Sequence, residues 1–195
     1  MIRVGINGFG RMGRLATRAL WGRDDLQLVA INEPHMDAST QGILLEFDSV
    51  QGRWPQSCVG GDAGLRIGDT EIAVSHHERP ADISWSDHQV ELVLECSGAF
   101  RKTSLLEPHF QPGVKRVVVS APVKDGPPNI VMGVNQGDYD LASEPIVTAA
   151  SCTTNCLAPV VRVLHDGLGI ERGTVTTIHA PTNTQSVHDA PHADP

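Results

Sequence analysis

No stretch of this 195-residue chain is apolar for long enough to cross a bilayer. The N-terminus carries no leader pattern: "MIRVGINGFGRMGR" turns polar and glycine-rich before an apolar core could form. Positive charge is also in short supply, with 15 Lys and Arg against 23 Asp and Glu and a net charge of −8. That balance argues against nucleic acid and membrane as partners, while leaving room for a local basic pocket that takes one phosphate. Cysteine is sparse, with four residues scattered along the chain. Without a leader they read as free thiols in a reducing, cytoplasmic compartment rather than as a disulfide framework. There is no internal repeat and no low-complexity segment.

What is present is the composition of a folded globular protein: 40% hydrophobic residues, with charge spread along the chain. The length allows one good core, or one domain and part of a second. The start reads strand, turn, helix. "IRVGIN" (2–7) is a short apolar strand and "GFGRMG" (8–13) the turn. A helix follows with Met12, Leu15, Ala16, Ala19 and Leu20 on one face, ending at Gly22. "LQLVAIN" (26–32) closes a βαβ unit, and 37–47 suggests a helix with Asp37 near its start. "LRIGDTEIAVSH" alternates around Gly68-Asp69, a hairpin signal. Apolar strands are then expected at 90–96, 114–121, 129–135 and 145–151, with a helix at 101–110 interrupted at Pro108. From Cys152 a helical stretch carries Pro159 as a kink or early turn, and a β-branched strand at 173–180 leads into a tail without a packing pattern. The fold class that results is α/β, a Rossmann-like doubly wound, mostly parallel sheet.

Gly8, Gly10 and Gly13 form G-x-G-x-x-G between the first strand and its helix. One glycine permits the tight turn, one lets a pyrophosphate approach the backbone, and one lets helix and strand pack closely. The helix N-terminus then faces the phosphates with its N–H groups and positive dipole end. Glu33 lies 20 residues beyond Gly13 at the end of the second strand. A carboxylate there accepts from ribose hydroxyls and repels a 2′-phosphate, which favours NAD over NADP.

"AASCTTNCLAPV" holds Cys152 and Cys156 one helical turn apart. Ser151 is a natural N-cap, which places Cys152 in the first turn, where the dipole lowers a thiol pKa. Cys156, a turn later, is expected to face inward as a small buried hydrophobe. A strained regulatory disulfide between them and a zinc site remain alternatives, although two thiols do not complete a metal site and Pro191 breaks a helical reading of His188 and His192. No metal is expected. His179, at the end of the strand beginning at 173, is the candidate partner that a thiolate needs.

The segments "INGFGRMGR", "SAPVKDGPPNIVMGVN", "ASCTTNCLAPVV" and "TTIHAPTNTQSVHDAPH" resemble phosphorylating glyceraldehyde-3-phosphate dehydrogenases from residue 2 to about 192. "SCTTNC" is specific to that family and its relative, erythrose-4-phosphate dehydrogenase. "SAPVK" and "TNTQSVHDAPH" look most like the bacterial subgroup associated with arsenic resistance. The resemblance implies Cys152 as nucleophile and His179 as the acid/base that activates it. Ser151 and Thr153 match residues that hold inorganic phosphate and the reacting substrate, and Thr182 a contact to the substrate's own phosphate. Arg11 and Met12 match backbone contacts to the cofactor pyrophosphate, beside Asn7 and the loop glycines. Glu33 stands where the family's ribose-binding aspartate does, and Arg79, Ser97 and Ser120 fall on the adenine or nicotinamide side.

The activity so implied is NAD-dependent oxidation of glyceraldehyde-3-phosphate through a cysteine thioester, cleaved by phosphate or, in the arsenic subgroup, arsenate. Erythrose-4-phosphate is the alternative substrate. The expected division is a cofactor domain at 1–150 and the beginning of an α+β catalytic domain at 151–195. Ala190 stands where a larger apolar residue is common, which loosens the expected exclusivity for NAD. The family continues past "HADP" with a basic segment, further substrate and nicotinamide contacts, and the main interface of a homotetramer. The alternative expectation from another class is therefore a catalytically silent NAD-binding fragment with little turnover of its own.

Overall fold

A computed structural model of the protein describes residues 1–61, 64–123, 125–140 and 142–179. The chain opens with β1 (Ile2–Asn7), α1 (Arg11–Leu20), β2 (Leu26–Asn32) and α2 (Ala38–Glu46), the elements that the glycine loop and apolar runs lead one to expect. A small antiparallel pair, β3 (Phe47–Asp48) and β4 (Gly52–Arg53), precedes β5 (Cys58–Gly61), β6 (Gly64–Ile67) and β7 (Thr70–Ser75). The second half supplies β8 (Leu92–Glu95), a short α3 (Thr103–Leu106), β9 (Arg116–Val119), β10 (Ile146–Thr148) and α4 (Cys152–Leu168).

The main sheet runs β10-β9-β8-β1-β2-β7-β6-β5. The strands from β10 to β7 are all parallel, and β6 and β5 continue the β7 edge as antiparallel strands. The turn at Gly68-Asp69 joins Ile67 to its partner Thr70, as the alternation around it predicts. β1 lies between the two halves. From it the chain winds outward through β2 and β7, then returns to start again at β8. The order thus reverses between β1 and β8, and the crevice at such a switch point, beyond the C-terminal strand ends, is where α/β sheets bind ligands.

Each face of the sheet has its own core. Val4, Ile6, Phe9, Leu28, Ile31, Leu45, Leu65 and Ile72 fill one, and Val29, Ala30, Trp85, Val93, Leu106 and Val117 the other. A register shift pairs Val4 with Leu28 but Gly5 with Ala30, which puts Leu28 and Ile31 into the same core despite their odd spacing. Asp37 caps α2 by accepting from the Thr40 N–H at 2.6 Å, which fixes the start of that helix.

Four expectations need correction. The inward face of α1 is Gly13, Arg14, Thr17 and Leu20, not the stripe through Met12 and Ala19, both of which are exposed. Polar satisfaction overrides hydropathy there: Arg14 donates to the Phe9 carbonyl at 3.1 Å, and the Thr17 hydroxyl to the Gly13 carbonyl at 3.0 Å. Residues 129–135 are not a strand. Only Asn129 bridges β10, and the Asn135 side chain accepts from the Val131 N–H and donates to the Asn129 carbonyl, closing a turn with Gly133 at φ 85°. Residues 173–179 are not in a strand either, because no described strand flanks them to complete a ladder. Cys156 is exposed, since no described element covers the inward side of α4, none of whose residues is buried. The helix expected over 101–110 divides at Pro108 as foreseen, with α3 followed by a single 3-10 turn over Glu107–His109. Pro159 lies inside α4, which continues past it to Leu168.

Candidate active site and cofactor cleft

The glycine loop is shaped by contacts as much as by backbone freedom. Gly8 has φ 89°, and a Cβ there would lie 2.4 Å from the Ser97 backbone. A Cβ on Gly13 would lie 2.2 Å from the Gly8 carbonyl oxygen. Gly10 differs: a Cβ would meet nothing within 4 Å. That open space sits at the N-terminus of α1, where Gly10 offers no capping side chain and the first turn has no acidic residue. Such a helix start can accept an anion, through its backbone N–H groups and the positive end of the helix dipole.

Glu33 braces this loop from the end of β2. Its Oε2 accepts from the Phe9 N–H at 2.7 Å and its Oε1 from the His35 N–H at 3.0 Å. A carboxylate has about four lone-pair positions, so two stay available to hydroxyl donors. The Arg11 guanidinium turns toward Asp48 at 3.5 Å. Burial acts on the Asp48 carboxyl first, but the Gln51 and Val50 N–H groups and the nearby Arg11 outweigh it and hold its pKa below the usual carboxylate range.

Beneath the cleft lies a buried polar chain. Asn7, at the end of β1, donates to Glu95 Oε2 at 2.6 Å and accepts from Asn32 Nδ2 at 2.8 Å. Asn32 in turn accepts from the Ser75 hydroxyl and the His77 N–H. Glu95, at the end of β8, also accepts from the Ser97 N–H and hydroxyl and from His109 Nε2. Trp85 Nε1 donates to His109 Nδ1 at 3.1 Å. Ser120 follows β9, and its N–H donates to the Glu95 carbonyl at 2.9 Å. Asn7, Gly8, Gly10, Arg11, Met12, Gly13, Glu33, Ser97 and Ser120 therefore gather along the C-terminal ends of β1, β2, β8 and β9. Arg79 follows β7 and precedes a 3-10 turn over Pro80–Asp82, its guanidinium held in a two-pronged pair with Asp82 at 2.7 and 2.9 Å.

A second group forms at the start of α4. Ser151 is the N-cap, its hydroxyl accepting from the Thr154 N–H at 3.0 Å and lying 3.0 Å from the Thr153 hydroxyl. Cys152 is the first residue of the helix, and its Sγ lies 3.1 Å from His179 Nε2. The hydrogen bond between Cys152 and His179 holds the thiol below its ordinary pKa, burial opposes it, and the Thr153 N–H adds to the lowering. The other thiols near or within the core behave oppositely. Burial pushes Cys58 up to about 11 and Cys96 up to about 12. All four cysteines are free. The exposed Cys152 beside an imidazole has the environment of a nucleophile. Thr182, His188 and His192 lie outside the described residues.

The sequence matches two family models. Residues 2–103 match "Glyceraldehyde 3-phosphate dehydrogenase, NAD binding domain", and residues 151–195 match the C-terminal domain of the same family.

The chain belongs to the glyceraldehyde-3-phosphate dehydrogenase family.

Among its relatives, glyceraldehyde-3-phosphate dehydrogenase 3 of Nostoc sp. is 53% identical over 193 residues, covering 99% of this chain and 57% of the relative. Glyceraldehyde-3-phosphate dehydrogenase 1 of Streptomyces avermitilis is 43% identical over 99% of this chain and 58% of its own length. The Geobacillus stearothermophilus enzyme is 42% identical over 99% of the chain and 57% of its own. The chain thus spans a little over half the length of the curated relatives it matches.

Within this family member, several residues of the two groups escape a reading of motifs. Glu95, His109, Trp85 and Asn32 are the buried support of the cleft, yet they lie in separate segments with no fixed spacing. Only the acidic end of the apolar run "LVLE" marks Glu95 as unusual. Ala150 is buried at φ 58°, a left-handed conformation directly before the Ser151 cap. No sequence signal announces it, since alanine is not a residue that favours positive φ.

Proposed function

We propose that this chain carries the NAD cleft and the nucleophile of a phosphorylating dehydrogenase that oxidises glyceraldehyde-3-phosphate. The carrying observation is the Cys152–His179 contact of 3.1 Å at the capped start of α4. The glycine cradle fits a dinucleotide: the open space at Gly10 admits a pyrophosphate, and Glu33 keeps acceptor capacity for ribose hydroxyls. Asn7, Gly8, Gly10, Arg11, Met12, Gly13, Glu33, Ser97 and Ser120 would hold the cofactor, with Arg79 at the outer edge. When bound, NAD⁺ supplies the acceptor for the aldehyde hydride.

The chain's own residues do the rest. His179 takes the Cys152 proton, the thiolate adds to the aldehyde carbon, and the imidazolium returns that proton to the new oxyanion, which gives a neutral hemithioacetal and a free imidazole. His179 then removes the hemithioacetal hydroxyl proton as the hydride departs, leaving a thioester on Cys152. Backbone N–H groups at the start of α4 stabilise the oxyanion formed on addition. Ser151 and Thr153 present hydroxyls beside the thioester for the incoming tetrahedral anion, phosphate or arsenate, which releases the acyl group. Thr182 is proposed as a contact to the substrate phosphate. Covalent capture divides one hard oxidation into two easier steps.

The remaining assignments are of the same kind. The cofactor domain is proposed to end at 150 and the catalytic domain to begin at 151, in a cytoplasmic, tetrameric enzyme of the family. Among the described residues no helix is long and apolar enough to cross a membrane. The test is acylation at high protein concentration without phosphate. Glyceraldehyde-3-phosphate and NAD⁺ should place a phosphoglyceroyl thioester on Cys152, seen by mass spectrometry of the Cys152 peptide, with NADH formed in equal amount. Adding phosphate or arsenate then clears the adduct, and the two rates identify the preferred acceptor. An unmodified Cys152, or erythrose-4-phosphate acylating it faster, contradicts the proposed substrate.

A further inference from the structure

Glu95 is 1% exposed, and its carboxylate is surrounded by neutral donors. Oε2 accepts from Asn7 Nδ2 at 2.6 Å and His109 Nε2 at 3.0 Å, and Oε1 accepts from the Ser97 N–H at 2.8 Å and from the Ser97 hydroxyl. The other ring nitrogen of His109 shows that this imidazole is uncharged. Trp85 Nε1 points at Nδ1 from 3.1 Å, and an indole nitrogen only donates. Nδ1 therefore carries a lone pair, and the single ring proton sits on Nε2, shared with Glu95. An imidazolium would set two N–H groups head to head. The pair is thus a carboxylate with hydrogen bonds for every lone pair but no formal positive charge from its donors.

Its place in the fold gives that charge a use. Glu95 ends β8, directly beside β1 at the switch point. A dinucleotide whose adenosine ribose lies at Glu33, at the end of β2, directs its nicotinamide half to the β8–β9 side, toward Ser97 and Ser120. We propose that Glu95 is the positioning residue of this side of the cleft: its carboxylate fixes Asn7 and Ser97, and its buried charge makes the cleft hold the oxidised, cationic nicotinamide more tightly than the reduced, neutral one. The inference rests on the NAD reading above. Hydride transfer removes the ring's positive charge and so removes this attraction, which favours exchange of the reduced dinucleotide after each oxidation. A buried charge is weakly screened, so the preference persists across salt concentrations.

The experiment compares affinities for NAD⁺ and NADH, followed by tryptophan fluorescence. The unaltered chain should bind NAD⁺ more tightly than NADH by a ratio on the order of tenfold, with little change between low and physiological salt. Glu95→Gln should bring the ratio toward one. His109→Gln, which leaves the carboxylate in place, should weaken both dinucleotides in parallel and keep the ratio. A role confined to structure would weaken both equally in both variants. A ratio of one or less in the unaltered chain, or an undiminished ratio in a folded Glu95→Gln protein, overturns the inference. If Glu95→Gln does not fold by circular dichroism, the unaltered chain and His109→Gln decide, and loss of the preference in His109→Gln overturns it too. Binding of neither dinucleotide by the unaltered chain overturns the NAD reading along with this inference, whereas binding with a flat ratio overturns this inference alone.

Discussion

Two neighbouring glycines should fail in different ways. A Cβ on Gly13 would stand 2.2 Å from the Gly8 carbonyl oxygen. To restore van der Waals contact, the first turn of α1 must retreat from the loop by about 1 Å. Such overpacking costs about 1–3 kcal/mol, offset by the gain of about 1 kcal/mol that alanine brings to a helix over glycine. Gly13→Ala should therefore lose up to roughly 2 kcal/mol of stability and also weaken NAD⁺ binding, because the cradle moves. Gly10→Ala meets nothing within 4 Å, and φ −67° suits alanine. Its cost to the fold is that of a poorer N-cap, at most about 1 kcal/mol. The new methyl nevertheless occupies the space assigned to the pyrophosphate, so NAD⁺ affinity should fall by at least about tenfold, some 1.4 kcal/mol. Urea unfolding and calorimetric titration of both variants give the four numbers required. A Gly10→Ala protein that binds NAD⁺ within about twofold of the unaltered chain refutes the assignment of that space.

Ala150→Val places a β-branched residue at φ 58° in a buried site and should cost about 1–2 kcal/mol, whereas Ala150→Gly should be near neutral; urea unfolding that shows no difference between the two contradicts a left-handed Ala150. The Asp37 carboxyl is held below the usual range mainly by the Thr40 N–H it caps. Its contribution is thus present above the unfolded carboxyl pKa and lost as pH falls through the lower folded one. Asp37→Ala should lower Tm at neutral pH by an amount that shrinks in acid, and a Tm difference independent of pH contradicts the cap.

The βαβ unit was legible because its chemistry is local. Strand, glycine loop, helix and second strand follow one another in the first 32 residues, and Asp37 announces its own helix. The Gly68-Asp69 hairpin was legible for the same reason. Legibility failed where a partner decides the outcome. The β-branched run at 173–179 has strand character but no described strand to pair with, and 129–135 yields to the two hydrogen bonds of the Asn135 side chain. The face of α1 was misread because Arg14 is buried by its bond to the Phe9 carbonyl, which hydropathy does not register. At the site, Gly8, Gly13, Glu33 and the Ser151 cap could be read from spacing. The Glu95–His109–Trp85 chain could not, since it joins residues brought together only by the sheet.

The central claim is an activated thiol at Cys152 with His179 as its cause. The direct measurement is the rate of iodoacetamide alkylation at each cysteine against pH, resolved by peptide mass spectrometry, in the unaltered chain and in His179→Ala. Cys152 should react with a midpoint below the ordinary thiol range, while Cys58 and Cys96, pushed up to about 11 and about 12, stay unreactive at neutral pH. Because the hydrogen bond with His179 is the largest cause of the lowering, its removal should move the Cys152 midpoint up. A Cys152 that reacts no faster than Cys58 and Cys96, or a midpoint that His179→Ala leaves in place, would contradict the account.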